Sequence, residues 1–570
     1  MKTVPEKIKM IKHTLIPAVG IVFMAWLLSL PGWRVDLTQE KRYTLHPVTR
    51  EMLKKLPGDV QVTVYLEGNM PAGFKRLATA TGQMLELFER LSRHRLTYRF
   101  VDPLENADPK ARRQMVESLY EKGLQPTNVK MKDETENLSE KLLIPGAILS
   151  YKNKEVAVNL LQKNIGATAE ENLNHSIEMI EYAFVNALQG LMQDTVIQVA
   201  FIEGHGELDD YQTADISREM EMSLRYKVFR GRINRRVSCL DPYKVVIVAK
   251  PQMPFTESEK FVLDQYLMKG GRILWLLDKG QVNLDSLVGG MAFAFVRDCN
   301  LDDQLFRYGV RINQNLLQDV QCALVPVNIA LQGETPRFVP VPFYYLPLIA
   351  PAGTHPVCRN LNLIRGEFVN TLDTVNPSAS VKKIPLMMSS AMAKTTGIPA
   401  MISLREAKRN LAVRERKNPC LLGVLLEGVF TSNFKNRMIS QLDVEEKNTI
   451  ITESKPTRMA VIADGDIIKN SVRYTEAGAQ ILPLGFDRYS HQTYGNREFL
   501  MNLINYLAGD ERILELRNRQ VMLRLLDKAR IKREKIKWKI INVMLPLAVI
   551  LGAAILVQGL RRRKYRPLPE

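Results

Sequence analysis

Residues 256–278 read TESEKFVLDQYLMKGGRILWLLD and contain a helix, its end and a buried strand in one stretch. Thr256 with Glu259 three residues later is the pattern of a capping box, which satisfies the free amides at the start of a helix. A Gly-Gly pair ends that helix, and the apolar run up to Asp278 is typical of a strand buried on both faces. The stretch therefore predicts one helix–strand unit of a covered parallel sheet.

The same alternation of helices and apolar strands recurs on both sides of this stretch. QVAFIE at 198–203, VVIVA at 245–249 and MAVIADGDII at 459–468 are further strand candidates. Alternation of this kind predicts an α/β domain with a parallel sheet between two helical layers, which we place at residues 193–510. Residues from about 300 to 455 are rich in proline and irregular in pattern, so we expect an inserted lobe there.

A smaller N-terminal α/β module precedes this domain and covers residues 34–165. Its strand candidates, with alternating or β-branched residues, lie at 60–66, 96–102 and 146–161. A second capping-box pattern, Thr168 with Glu171, opens a predicted connecting helix at 166–192.

Two apolar segments lie near the ends of the chain, at 14–31 and 540–560. Each is about long enough for the roughly 20-residue helix that crosses a bilayer. The basic leader before the first segment places the N-terminus on the cytoplasmic side. We therefore expect an uncleaved anchor, cytoplasmic tails at 1–13 and 561–570, and a long middle part on the outer side.

The net charge of +18 is concentrated near the second apolar segment. Residues 511–570 contain sixteen Lys and Arg against five Asp and Glu, and no basic stripe with interleaved aromatics runs through the middle of the chain. This distribution argues against nucleic acid as a partner and favours membrane lipid. We expect a basic membrane-proximal helix at 511–539; a solvated spacer helix is the alternative. The membrane-interface residues would be Arg530, Lys532, Arg533, Lys535, Lys537, Trp538 and Lys539.

Signals of catalysis are missing from the sequence. No G-x-x-x-x-G-K-[ST] motif is present to hold the phosphates of ATP, and strand 245–249 runs into Lys250 and Pro251 rather than into a nucleophile turn. The cysteines have no metal-site spacing; they are Cys239, Cys299, Cys322, Cys358 and Cys420. We therefore expect no enzyme activity and no cofactor, with energy supplied by a partner.

Polar loops after the sheet strands are the candidate ligand site. Ligands of doubly wound sheets bind outside the carboxyl ends of the strands, and carboxylates with one imidazole could hold a divalent ion, a sugar or a peptide. In the alternative interpretation these side chains only close turns and cap helices. The candidate residues are Glu203, His205, Glu207, Asp278, Asp464 and Asp466.

Several further segments resemble GldG, the gliding-motility-associated ABC transporter protein family of Bacteroidetes. The resemblance lies in FIEGHGE at 201–207, residues 256–278 as quoted above, LFRYGVRIN at 305–313, LLEGVFTSNFKNR at 425–437, MAVIADGDIIKN at 459–470, LGFDRY at 484–489, GNREFLMNLINYLAGD at 495–510 and RRRKY at 561–565. Both apolar segments fit the layout of that family.

The resemblance implies a bacterial inner-membrane protein, mostly periplasmic, that accompanies an ABC permease subunit and a separate ATPase subunit. It also implies a flavodoxin-like, glutamine-amidotransferase-like sheet domain. A dimer or a higher copy number within the complex is a separate possibility. We expect a non-ATPase accessory subunit linked to gliding motility or protein secretion. The alternative is a solute-binding module with a ligand in the crevice formed by Gly204-His205-Gly206-Glu207.

Overall fold

The computed structural model describes residues 44–564 except 106–107, 133–137, 165–166, 288–289, 329, 331–334, 354, 377–379, 405–417, 446–449, 476–477 and 519–527. The chain divides into two compact units, Met1–Gln520 and Val521–Glu570.

The first unit begins with an α/β module. Its elements are α1 (Pro47–Lys54), β1 (Val60–Val64), α2 (Ala72–Leu91), β2 (Leu96–Phe100), α3 (Pro109–Glu121), β3 (Thr127–Lys132), β4 (Leu138–Leu143), β5 (Gly146–Tyr151), β6 (Lys154–Asn159), α4 (Ala169–Glu178) and α5 (Ile180–Met192). The sheet order is β2-β1-β5-β6, with β1 and β2 parallel. Phe88 of α2 meets Phe184 of α5 edge to face in the core beneath this sheet.

The helix predicted at 166–192 is two helices. Thr168 and Glu171 form the capping box that opens α4, as the sequence indicates. The chain bends at Met179, which caps the end of α4 and precedes α5.

The rest of the first unit surrounds one large sheet. Its elements are β7 (Ile197–Glu203), α6 (Ala214–Met222), β8 (Tyr226–Arg232), β9 (Val245–Ala249), α7 (Glu257–Met268), β10 (Arg272–Leu276), β11 (Gly280–Gln281), β12 (Met291–Val296), α8 (Asp302–Tyr308), β13 (Val310–Ile312), β14 (Asn315–Asp319), β15 (Cys322–Asn328), β16 (Phe338–Pro351), β17 (Ile364–Arg365), β18 (Leu372–Thr374), β19 (Val381–Met388), β20 (Ala393–Gly397), β21 (Ala400–Ser403), β22 (Leu421–Gly428), β23 (Thr457–Ile462), β24 (Val472–Thr475), β25 (Gly478–Ile481), β26 (Phe486–Asp487), β27 (Gln492–Thr493), α9 (Asn496–Ala508) and α10 (Glu511–Leu514). Short 3₁₀ turns lie at 285–287, 356–358, 466–468 and 515–518.

The large sheet is mixed. Its order is β15-β16-β19-β22-β23-β10-β9-β7-β8, in which β8, β7, β9, β10 and β23 are parallel neighbours. Helices α6 and α9 pack on one face, and α7 packs on the other beside Trp275. The apolar strands are thus covered on both faces, which explains why they carry few polar residues.

The segment at 300–455, where we expected an inserted lobe, contains strands of the large sheet. Its strands β16, β19 and β22 continue the large sheet in antiparallel fashion, and β22 pairs directly with β23. Proline and bulges obscured their pattern, as where the pairing of β19 with β22 shifts near Pro385.

Helix α9 ends at Ala508 and does not continue towards the second apolar segment. Gly509 has φ +105°, a left-handed conformation that favours glycine and closes α9. Ile513 and Leu516 then pack into the core of the N-terminal module. Residues 511–518 therefore belong to the first unit, and of the membrane-proximal helix predicted at 511–539 the described part from residue 528 onwards belongs to the helix of the second unit.

The second unit contains α11 (Lys528–Lys564). Residues Arg533–Leu560 within it are long and apolar enough to cross a bilayer, which agrees with the segment predicted at 540–560. The apolar segment predicted at 14–31 lies outside the described residues.

Candidate functional site

The carboxyl ends of the parallel strands meet at one edge of the large sheet. Glu203 ends β7, Lys250 follows β9, Asp278 follows β10 and Asp464 follows β23. Because these strands are hydrogen-bonded neighbours, residues that are far apart in sequence come together here.

A buried ion cluster occupies the centre of this edge. Lys250 Nζ lies 3.4 Å from Asp278 Oδ2 and also binds Asp466 Oδ2. Asp278 Oδ1 accepts a hydrogen bond of 2.6 Å from the amide of Gly465. A Cβ on Gly465 would lie 2.7 Å from Lys250 Cβ, so glycine allows the turn to approach the lysine this closely.

Asp464 closes the turns around this cluster. Its Oδ1 accepts from the amide of Asp466 at 2.9 Å, and its Oδ2 accepts from the amide of Glu367 at 3.1 Å. Burial raises the pKa of Asp464 well above its ordinary value, and the carboxylates of Asp278 and Asp466 raise it further. This residue fits the turn-closing role of the alternative interpretation.

Lys250 stays charged in this environment. Burial alone would lower its pKa, but the carboxylates of Asp278 and Asp466 raise the pKa of Lys250 above its ordinary value. Burial raises the pKa of Asp278, while Lys250 opposes that shift. The cluster therefore keeps a cation at the sheet edge that both carboxylates hold in place.

His205 belongs to a separate group. Its ring Nδ1 lies 3.1 Å from Glu207 Oε1 and its Nε2 lies 3.1 Å from Glu259 Oε2, while the ring stacks on Phe255 at 3.7 Å between centroids. Burial works against protonation, but the two carboxylates outweigh it and raise the pKa of His205. Both ring nitrogens are thus already paired with carboxylates of the chain.

The loop backbone around His205 is tightly turned. Gly204 and Gly206 have φ of +123° and +72°, which is the left-handed region that favours glycine. The amide of His205 donates to Glu207 Oε2 at 2.7 Å. Glu203 accepts from Arg230 Nε at 2.6 Å.

The structure brings half of the predicted site together. Asp278 and Asp466 pair with one lysine and Asp464 accepts from the amide of Asp466, whereas no ion pair or hydrogen bond within the described part of the chain links these three to the side chains of His205 and Glu207. Among the residues that the structure describes, no group of three His, Cys, Asp or Glu is arranged to hold a metal ion.

Sequence analysis missed Lys250 as a site residue. Its position directly after a fully apolar strand was the available local signal, but its burial depends on the pairing with Asp278 and Asp466. Arg297 was missed as well; its side chain is also buried, and its Nη1 lies 3.9 Å from Asp278 Oδ2.

Two cavities adjoin the ion cluster. The first, of about 450 Å³, is lined by Leu208, Gln212, Lys250, Gln252, Gln281, Val282, Asn283, Asp285, Ser286, Phe293, Phe295, Arg297 and Lys469. The second, of about 280 Å³, includes Asp466. Of the six predicted residues, none lines the first cavity and only Asp466 lines the second.

The predicted membrane-interface residues lie in α11. Arg533, Lys535, Lys537 and Lys539 are exposed. Trp538 is half exposed, and its Nε1 donates to Glu534 Oε2 at 3.0 Å. Arg530 and Lys532 lie in the first turns of the same helix.

Comparison with known proteins adds a family. A family model described as "ABC-type uncharacterized transport system" matches residues 198–503, more than half of the chain, and a domain of unknown function matches residues 39–150. No curated protein matches. A solved structure, "mmIFT52 N-terminal domain", is 14% identical over 55% of this chain and 97% of its own, with a TM-score of 0.31.

Proposed function

Because this chain belongs to the ABC-type uncharacterized transport system family, we propose that it is a membrane-anchored accessory subunit of an ABC transporter. The observation that carries the proposal is the family match, which extends over the whole parallel part of the large sheet. The exposed apolar helix α11 supports attachment to the membrane.

The proposed partners are an ABC permease subunit and a separate ATPase subunit. The sequence offers no phosphate-binding loop for ATP, so the subunit itself would not hydrolyse it. We propose a location in the bacterial inner membrane with two spans, both tails in the cytoplasm and the bulk of the chain in the periplasm. The resemblance to GldG supports a role in gliding motility or protein secretion, with a dimer or higher copy number in the complex.

The strand order supports the flavodoxin-like fold that we propose for this domain. Numbered along the chain, the parallel strands β7, β8, β9, β10 and β23 stand in the sheet as 2-1-3-4-5, the order of flavodoxin-like sheets. We propose domain boundaries at 34–165, 166–192 and 193–510, with residues 511–518 assigned to the first unit.

Purification from native membranes tests the proposal. The tagged chain, extracted in mild detergent, should retain a multi-span permease and an ATPase that carries the phosphate-binding motif. A variant with Lys532, Arg533, Lys535 and Lys537 replaced by Gln should retain less of both, because those cations lie next to the apolar span. Recovery of the chain without either partner would overturn the assignment.

A second function is favoured by the cavity at the carboxyl edge of the sheet. A cavity of about 450 Å³ has the size of a small-molecule site, so the domain could also bind a solute. We propose that the ligand contacts this cavity rather than the His205 loop, whose side chains bind each other. Asp278 and Asp466 would then act by holding Lys250 in position, and Asp464 by closing the turn that carries Asp466. A ligand of the folded state would raise thermal stability with its concentration.

A further inference from the structure

Arg297 has an unmet hydrogen-bonding capacity beside the first cavity. Its side chain is about 7% exposed, and its Nη1 is buried with no hydrogen-bond partner. The nearest carboxylate oxygen that pairs with it, Asp278 Oδ2, is 3.9 Å away and is shared with Lys250. A buried guanidinium donor without an acceptor is costly, and such groups in native proteins require an explanation.

The surroundings of Arg297 fit an oxyanion. Lys469 and Lys250 line the same cavity, with Asp285 as the carboxylate among the lining residues. Lys250 pairs with Asp278 and Asp466, and Lys469 Nζ lies 3.7 Å from Asp466 Oδ1. Arg297 reaches only Asp278 Oδ2, at 3.9 Å, so it is the cation of this group with the weakest carboxylate contact. A guanidinium offers paired donors that match a carboxylate or a phosphate.

An exposed aromatic pair forms another wall of the cavity. Phe293 and Phe295 are two residues apart on β12 and therefore lie on one face of the strand. Their rings stack with centroids 6.2 Å apart, and about 60% and 57% of each residue is exposed. Adjacent exposed aromatic rings at a cavity indicate a contact surface for a flat apolar group.

Polar groups complete the lining. Gln212, Gln252, Asn283 and Ser286 offer neutral donors and acceptors. The cavity thus combines an unmet cationic donor, an apolar platform and a few neutral polar groups, which is the usual composition of a small-molecule site.

We propose that this cavity binds a small organic anion, a carboxylate or phosphate ester on a ring-bearing stem, with the oxyanion on Arg297 and the ring on Phe293 and Phe295. The inference rests on the second function proposed above, the solute-binding role. It does not depend on membership of a transporter complex.

Titration of the purified full-length chain in detergent tests the proposal. Binding of phenyl phosphate and of benzoate is measured by calorimetry. Inorganic phosphate is the control that lacks the ring, and benzyl alcohol is the control that lacks the anionic group. We expect saturable binding of at least one ring-bearing anion, and at least about tenfold weaker binding of both controls. Preference for phenyl phosphate or for benzoate identifies the natural anion as a phosphate or a carboxylate.

Matched variants locate the site. Arg297→Gln and Phe293→Ser should each weaken binding by about tenfold or more. Arg311→Gln and Phe338→Ser, two exposed positions outside the cavity lining, should leave it unchanged. Phe293→Ser removes an exposed ring, so it tests the site even if Arg297→Gln fails to fold.

Three results would overturn the proposal. They are no saturable binding of either ring-bearing anion at millimolar concentration, equal binding of inorganic phosphate alone, and binding that is unaffected by Phe293→Ser. Since the purified chain is used alone, none of these results bears on the transporter assignment.

Discussion

Lys250 Nζ lies 3.4 Å from Asp278 Oδ2, and both residues are less than 10% exposed at the carboxyl edge of the large sheet. The pair links the ends of two adjacent parallel strands, β9 and β10, and Asp466 joins it from the turn after β23. This cluster fixes the geometry on one side of the proposed ligand cavity.

Replacing Lys250 by Met should strongly destabilise the sheet domain. The change removes the closest cation from two buried carboxylates, and breaking a buried ion pair in this way costs about 3–5 kcal/mol. Denaturant unfolding can be followed by the fluorescence of Trp275, which is fully buried on β10. Lys435→Met is the matched control, because Lys435 pairs with Glu453 at the surface and should cost at most about 1 kcal/mol. Equal losses of unfolding free energy in the two variants would contradict the role of Lys250 in stabilising the buried ion cluster.

Gly465→Ala should lower stability by about 1–3 kcal/mol through overpacking. The added methyl would lie 2.7 Å from both Lys250 Cβ and Lys250 Cγ. Gly231→Ala is the control, since a Cβ there meets no heavy atom within 4 Å. We expect it to change the free energy of unfolding by no more than about 0.5 kcal/mol. Thermal unfolding of both variants measures the difference, and a neutral Gly465→Ala would show that the turn can move away from the lysine.

His205 should make stability depend on pH. Its pKa in the folded chain is raised, so the stabilisation from the protonated ring is complete below its unfolded pKa of about 6.5 and is lost as pH rises through the folded pKa. The difference in free energy of unfolding between wild type and His205→Gln should therefore be larger at about pH 6 than at about pH 9. A difference for His205→Gln that is constant with pH would contradict the ion pairs with Glu207 and Glu259.

Local signals in the sequence predicted much of this arrangement. The capping box of Thr256 and Glu259 forms as expected, because it depends on residues three apart. Glu259 also binds His205, which no local pattern could show, since the contact depends on where α7 lies relative to β7. The same reason hid Lys250 and Arg297, whose partners are set by strand order.

The end of α9 was predictable in principle. Gly509 followed by Asp510 is a helix-stop pattern, but the apolar and basic residues beyond it suggested that the helix continues. Asp510 is instead held by the buried Arg225 and by Gln189 Nε2 at 3.1 Å. These tertiary contacts keep residues 510–518 in the first unit.

Topology can be tested by labelling single cysteines in a variant that lacks the five native ones. Asp210→Cys, at a highly exposed side chain, should react with an impermeant reagent in intact cells, because the middle of the chain is proposed to be periplasmic. Glu570→Cys should react only after the membrane is opened. The reverse pattern would place the large sheet in the cytoplasm and contradict the proposed orientation.

Cross-linking from the second apolar segment tests the central claim most directly. A photoreactive residue at Ile550, which is exposed on α11, would be activated in native membranes, with the same residue at Lys152, on the turn between β5 and β6, as the control. The account predicts that the Ile550 probe captures a multi-span permease that itself retains an ABC ATPase, and that the Lys152 probe does not. Capture of lipid alone, or of proteins that retain no such ATPase, would contradict an accessory subunit docked through this helix.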